Sequence, residues 1–266
     1  MHTDRRSLEL DRAFRHRLRA GETLTGMLCT LGSPDAVEVL AGCGFEWLFL
    51  DGEHGTFDDH GLRDALRAAG SVPCLVRVPS LHGPWIARAL DAGATGVIVP
   101  QVHSAADAAA AVAAARHPPH GRRGIGPGRA GGYGSAVADA VARAERETVV
   151  VVQAESGEAL TDIEAIARVP GLDAVLVGPA DLSASLGYVG QPGHPEVTAA
   201  ITRIAQACAT GEVRAGIFAA TPEGLLPWRA AGMTLLCAGV DTMLLADAGR
   251  RLAEALHRAA IGLPPE

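Results

Sequence analysis

The chain contains no lysine: all 23 of its Lys+Arg residues are arginine. A Schiff-base enzyme or a pyridoxal-phosphate enzyme needs a lysine amine as its nucleophile. Both classes are excluded on chemical grounds, and carbonyl chemistry here must use a metal or hydrogen bonds as its electron sink. Aromatics are also scarce, at 4%, beside 48% hydrophobic and 20% charged residues. That is a globular composition with an aliphatic, alanine-rich interior. Long apolar runs are missing. The longest, such as Val149–Val152, are far too short to cross a bilayer, so no membrane segment is expected. Positive charge is in deficit too. A formal net charge of −7 leaves no cations to neutralise phosphates, which argues against a nucleic-acid partner.

The five cysteines (Cys29, Cys43, Cys74, Cys208, Cys237) are scattered, and no pair has zinc-ligand spacing. Reduced structural thiols in a cytoplasmic protein are the expectation. Near the N-terminus, Arg5, Arg6, Arg12, Arg15, Arg17 and Arg19 are interleaved with Asp4, Glu9 and Asp11. No apolar signal core follows, so no export peptide is expected.

Eight short aliphatic runs recur, each bounded by glycine, proline or polar residues: Leu24–Cys29, Trp47–Leu50, Cys74–Val78, Gly96–Val99, Val149–Ala154, Ala174–Val177, Arg214–Phe218 and Leu235–Ala238. Their nearly continuous hydrophobicity suits parallel strands buried on both faces. Helical stretches separate them, among them Asp58–Ala69, Pro84–Ala92, Ala105–Arg116, Ala159–Arg168 and Pro195–Thr210. Ser33-Pro34 and Thr221-Pro222 give helix starts, and Gly70, Gly93 and Gly171 sit where helices stop. The pattern predicts α/β architecture: a single (β/α)8 (TIM) barrel domain over 1–266. An open doubly wound sheet is the alternative. Leu8, Leu10, Phe14 and Leu18 predict an amphipathic lead-in helix covering the barrel's base. Gly121–Gly134 holds seven glycines, which points to an active-site loop at about 118–135 with Arg129 or Tyr133 setting specificity. Within it, Gly126–Gly131 matches G-x-G-x-x-G only formally, since no strand precedes it.

Barrel enzymes place their sites where strands end. The second strand runs into Asp51-Gly52-Glu53-His54, the third ends in Arg77, the fifth in Gln153 and Glu155, and the sixth in Gly178-Pro179-Ala180-Asp181. His54 is the base candidate because imidazole exchanges protons near neutrality. Glu155 and Asp181, on adjacent strand ends, suit an oxygen-liganded divalent ion (Mg²⁺, Mn²⁺ or Co²⁺) with open positions for water and substrate. Asp181 also reads as a helix cap, and the two roles are compatible. Backbone N–H groups at Ala180 and Asp181 would then meet a substrate carboxylate. A buried Arg77 should meet an anion, either substrate or a protein carboxylate. Asp51 is a further candidate, for supporting the site or setting its specificity.

The runs FEWLFLDGEH, LVRVPS, RALDAGATGVIVPQV, VQAES, VGPADLSASLGYVGQPGHPEV and AGVDTMLLADA together resemble the HpcH/HpaI aldolase family, in matching order over about residues 20–250. The resemblance implies a (β/α)8 barrel that reversibly cleaves 4-hydroxy-2-oxo acids to pyruvate, or a close 2-oxo acid, and an aldehyde. It implies His54 as base assisted by Asp91, and Arg77 as the enolate-stabilising group. It further implies Glu155 and Asp181 as metal carboxylates, with Gln153, Ala180 and Asp181 as substrate contacts. A homo-oligomer, hexamer or trimer, is implied as well. Asp91 lies some eight residues along its helix from Pro84, about 10 Å or more below the rim that carries His54, so a neighbouring subunit is the expected source of one of them. The run GIGPGRAGGYG departs from the family, which bears on the aldehyde accepted. The rival readings are another carbon–carbon lyase of a similar barrel superfamily (a CoA-ester lyase or enolpyruvate-type mutase) and a non-catalytic metal-binding barrel.

Overall fold

The computed structural model describes residues 14–261. Within them, eight parallel strands close into a barrel in chain order. They are β1 (Leu24–Cys29), β2 (Trp47–Asp51), β3 (Cys74–Arg77), β4 (Gly96–Val99), β5 (Val149–Ala154), β6 (Ala174–Val177), β7 (Arg214–Ala219) and β8 (Leu235–Val240). β1 pairs with both β2 and β8, which closes the ring and disposes of the open sheet.

The strands are buried on both faces, and period two divides their side chains between two cores. Trp47, Phe49, Leu75, Ile98, Val149, Val151 and Leu176 fill the barrel's interior. Leu48, Leu50, Val76, Val97, Val99, Val150 and Val152 face outward onto the helices. Gly26 makes room for the largest interior side chain, since a Cβ there would lie 2.4 Å from the Trp47 ring.

The outer layer includes α2 (Pro34–Ala41), α3 (Asp59–Ala68), α4 (Trp85–Ala92), α5 (Ala105–Ala115), α9 (Pro179–Ser185) and α10 (Pro195–Gly211). Local chemistry sets their ends. The Ser33 hydroxyl accepts the Ala36 N–H with Pro34 in the first turn of α2, and Gly93 stops α4 in a left-handed conformation at φ 104°. The stretch expected as one helix at Ala159–Arg168 is two, α7 (Gly157–Thr161) and α8 (Ile163–Ile166). The break falls at Asp162, whose carboxylate accepts the Ala105 N–H at 2.6 Å, a tertiary tie invisible to periodicity. α6 (Val137–Glu147), between the glycine-rich segment and β5, was not anticipated.

The lead-in helix is present: residues 14–20 are helical (α1), and Phe14 and Leu18 close the barrel's interior core from below. Leu8 and Leu10 lie outside the described residues. Asp173, just before β6, locks this base. It takes Arg15 Nε at 2.9 Å, Arg19 Nε at 2.7 Å, Arg116 Nη2 at 3.4 Å and the Val150 N–H at 3.0 Å. Burial, followed by the nearby Arg15 charge, pushes Arg116 down to about 10.

The glycine-rich segment lies at this same end of the barrel. It links the bottom of α5 to the start of β5 through α6, and its turn, Arg129–Gly134, rests on the end of α4. Arg129 donates to the Ala92 carbonyl at 3.1 Å, and Arg67 donates to the Tyr133 hydroxyl at 2.9 Å. The sequence points to an active-site loop here without saying whose site it serves, and its own barrel's mouth lies at the far end. A helix-to-strand connection emerges at the end opposite that mouth.

All five cysteines are free, and all but Cys43 are buried. Burial pushes the Cys29 and Cys208 thiols up to about 12, which keeps them protonated. No helix among the described residues is long and apolar enough to cross a membrane.

Candidate active site

Arg77 and Asp51 face each other where β3 and β2 end, in direct register. The Arg77 Nε donates to Asp51 Oδ1 at 2.8 Å and Nη2 donates to Oδ2 at 2.7 Å, a two-pronged pair. Both groups are buried. Burial opposes the charge on each, but the pairing outweighs it: Asp51 is held below the usual carboxylate range, and Arg77 above its ordinary value. The pair leaves one guanidinium nitrogen, Nη1, turned to the mouth. It lies 3.2 Å from Glu53 Oε2 and 3.4 Å from Gln153 Oε1. Phe49 supports the guanidinium from below, with Cζ 5.3 Å from the ring centroid.

Asp51 also shapes the turn that follows it. Its Oδ1 accepts the backbone N–H groups of Glu53 at 3.0 Å and His54 at 3.2 Å. The turn sends Glu53 inward and His54 outward: the His54 side chain is 67% exposed, with Nε2 3.8 Å from Glu53 Oε2. A second clamp holds the turn from β1. The Thr56 N–H donates to the Thr30 carbonyl at 3.0 Å, while Asp241 accepts the Thr30 hydroxyl at 2.8 Å and the Leu31 N–H at 2.9 Å.

Glu155, one residue beyond β5, is buried with both oxygens engaged. Oε1 accepts the Gln101 N–H at 2.7 Å, and Oε2 accepts the Gln153 amide. Burial raises this carboxyl above its usual value; the Asp181 and Glu53 charges add to the rise, against the Gln101 N–H and Arg77. Ala180 and Asp181 stand exposed in the first turn of α9. Gly178, before that helix, leaves the space the site needs, as a Cβ there would come within 3.0 Å of Glu155 Oε2.

The donor set fits a hard divalent cation. Glu155 and Asp181 offer carboxylate oxygens whose mutual repulsion a cation would relieve. Among the described residues no group of three or more His, Cys, Asp or Glu is gathered to hold a metal. The two carboxylates would therefore be the protein's share, with the other positions left to water and substrate oxygens.

The strand ends thus bring together Asp51, Arg77, Gln153, Glu155 and Asp181. They do not bring in Asp91, Arg129 or Tyr133. Asp91 sits in the last turn of α4, 42% exposed, and accepts Arg123 Nη2 at 2.6 Å. Two residues of the cluster were not foreseen as functional. Glu53 is adjacent to His54 in sequence, and only the turn geometry decides which of them faces in. Gln101 follows the end of β4, the one strand end between β2 and β6 from which no candidate was drawn.

The model of the HpcH/HpaI aldolase/citrate lyase family matches residues 24–248. The chain is 39% identical over 244 residues to a 4-hydroxy-2-oxovalerate aldolase of Rhodococcus jostii (strain RHA1), covering 91% of this chain and 94% of that one. It is 40% identical to a hydroxypyruvate/pyruvate aldolase of Pseudomonas aeruginosa, over 90% of this chain and 91% of the relative. Among solved structures, an HpcH/HpaI aldolase/citrate lyase family protein from Burkholderia cenocepacia J2315 superposes with a TM-score of 0.88 at 36% identity, covering 92% of this chain and 99% of the other. Barrel and sequence agree: the chain belongs to the HpcH/HpaI aldolase/citrate lyase family.

Proposed function

We propose that this protein is a divalent-metal-dependent aldolase that reversibly cleaves a 4-hydroxy-2-oxo acid to pyruvate, or a close 2-oxo acid, and an aldehyde. The observation that carries the reading is Arg77. Asp51 fixes two of its nitrogens, so the third is held, without freedom to turn away, beside the carboxylates at the barrel's mouth. The names of the aldolase relatives support the reaction class.

Glu155 and Asp181 would hold the cation, which when bound supplies Lewis-acid polarisation of the 2-oxo group. Gln153, with Ala180 and Asp181 in the first turn of α9, lines the side on which the substrate's carboxylate end would lie. His54 takes the proton of the 4-hydroxyl. The C3–C4 bond then breaks, the aldehyde departs, and the bond's electron pair passes into the enolate of the 2-oxo acid. Arg77 Nη1 donates to the negative charge that develops on the enolate oxygen. Return of a proton to C3 completes pyruvate. No lysine exists to form an imine, so this electrostatic route is the only electron sink the chain provides.

His54 and Asp91 do not touch within one chain, and we assign their pairing to two subunits. The last helix, α12 (Asp241–Ala260), supports assembly: it leaves the barrel with Leu245 67% and Leu256 60% exposed, on a face that none of the described residues covers. Arg129 and Tyr133 lie on the same flank as Asp91, so a neighbour's site is where they would set aldehyde preference. Sedimentation at increasing concentration checks the oligomer.

The test of function is a panel of aldehydes with pyruvate, run with Mg²⁺, Mn²⁺ and Co²⁺. Turnover should need a divalent ion, stop with chelator, and survive borohydride added with pyruvate. A trapped pyruvyl adduct, or turnover only with CoA esters, would overturn the proposal.

A further inference from the structure

Gln101 follows Pro100 just beyond β4, and its φ is 54°. That is the left-handed region, where a Cβ crowds the following carbonyl. Gln lacks the short side chain that lets Asn or Asp hydrogen-bond locally and tolerate it. Strain of this kind persists only where the surroundings impose it, and it concentrates at functional sites.

The conformation makes two contacts possible at once. The Gln101 N–H donates to Glu155 Oε1 at 2.7 Å, and the side-chain Nε2 donates to Glu53 Oε1 at 3.1 Å. Glu53's other oxygen lies 3.2 Å from Arg77 Nη1. β4 stands between β3 and β5. One residue at its end therefore reaches sideways to the residue following β5 and back over Arg77 to the turn after β2. Each carboxylate is gripped on one oxygen from β4 and on the other by a neighbour: Gln153 for Glu155, Arg77 for Glu53.

We propose that Gln101 is a positioning residue whose strained backbone orients Glu155 for a divalent cation while its side chain holds Glu53 against Arg77. The inference rests on the metal reading of Glu155 and Asp181 given above. Partners of this kind, one step behind a ligand, fix its rotamer and thereby its affinity.

A residue strained for packing alone behaves differently from one strained for a ligand, and glycine separates the two. Gln101→Gly relieves the left-handed conformation but lets the peptide turn. The measurement is Mn²⁺ binding by electron paramagnetic resonance, with thermal melting of the same metal-free samples, on the purified full chain. Gln101→Gly should melt no lower than the unaltered protein while its Mn²⁺ Kd weakens about tenfold, the low end for losing such a partner. Gln101→Asn, which tolerates the left-handed region, should keep its Kd within about threefold.

The inference is overturned if Gln101→Gly binds Mn²⁺ as tightly as the unaltered protein. It also fails if melting temperature and affinity fall together, or if Gln101→Asn loses as much affinity as Gln101→Gly. Glu155→Gln distinguishes the two levels of the argument. If it binds Mn²⁺ undiminished, or if the unaltered protein binds none, the metal reading itself is wrong and this inference falls with it.

Discussion

Replacing Arg77 with lysine keeps the positive charge and removes the fork. The guanidinium places Nε and Nη2 on Asp51 at 2.8 and 2.7 Å and still presents Nη1 to Glu53 and Gln153. An ammonium has one nitrogen, so it either stays with Asp51 or reaches the mouth. If it stays, the site loses one donor to the developing charge, which costs about 10²–10³-fold in kcat. If it leaves, a buried carboxylate loses its partner, with a stability cost of up to about 3–5 kcal/mol. That second outcome would also loosen the turn bearing His54, because the same Asp51 oxygen accepts the Glu53 and His54 N–H groups. The first outcome is expected, since Asp51 is sealed from solvent and holds the nearer charge. Arg77→Lys should thus melt within a few degrees of the unaltered protein and lose at least about a hundredfold in kcat. Pyruvate release from a 4-hydroxy-2-oxo acid, read through a coupled dehydrogenase at saturating metal, gives kcat and KM separately. The introduced lysine would be the chain's only one, so borohydride trapping also reports whether it attacks the 2-oxo group. A folded variant turning over within about threefold of normal would refute the oxyanion role and leave Arg77 as a structural partner of Asp51.

Asp173→Ala should destabilise the protein by about 3–5 kcal/mol, because it strips the anion from Arg15, Arg19 and Arg116. Denaturant unfolding measures this, and activity per folded molecule should be unchanged, as Asp173 lies at the barrel's base. Gly26→Ala should cost about 1–3 kcal/mol by forcing a methyl group against the buried Trp47 ring 2.4 Å away; unaltered unfolding would show that the ring has room to shift. Co-refolding inactive His54→Ala with inactive Asp91→Ala should restore part of the activity. Silence despite demonstrated subunit exchange would place the pair within one chain or abolish it.

The barrel was legible because parallel strands buried on both faces leave unbroken aliphatic runs, as in WLFL and VVVV. What escaped depends on tertiary ties. The helix break at Asp162 is set by the distant Ala105 N–H, and α6 follows a glycine run that hides its start. Where the glycine-rich segment lies is hidden for a topological reason. Glycine content signals an unusual loop, but only the order of helix and strand says at which end of the barrel it emerges.

Residue type at the strand ends was readable; direction was not. Asp-Gly-Glu-His offers three side chains with proton-bearing chemistry, and the turn beneath them sends Glu53 in and His54 out. From sequence Arg77 can face either substrate or protein, and the structure shows how a guanidinium can serve both, with two nitrogens on Asp51 and the third at the mouth beside Glu53 and Gln153. Asp51 therefore ties Arg77 to the turn that carries His54. Because one carboxylate sets both positions, Arg77 and His54 cannot be adjusted independently. If Arg77 and His54 act as proposed, the distance between the 2-oxo oxygen and the 4-hydroxyl of an accepted substrate would have to match a spacing that Asp51 fixes. On the proposed reading, variation in the aldehyde would be left to residues outside this pair, on the flank that carries Arg129 and Tyr133.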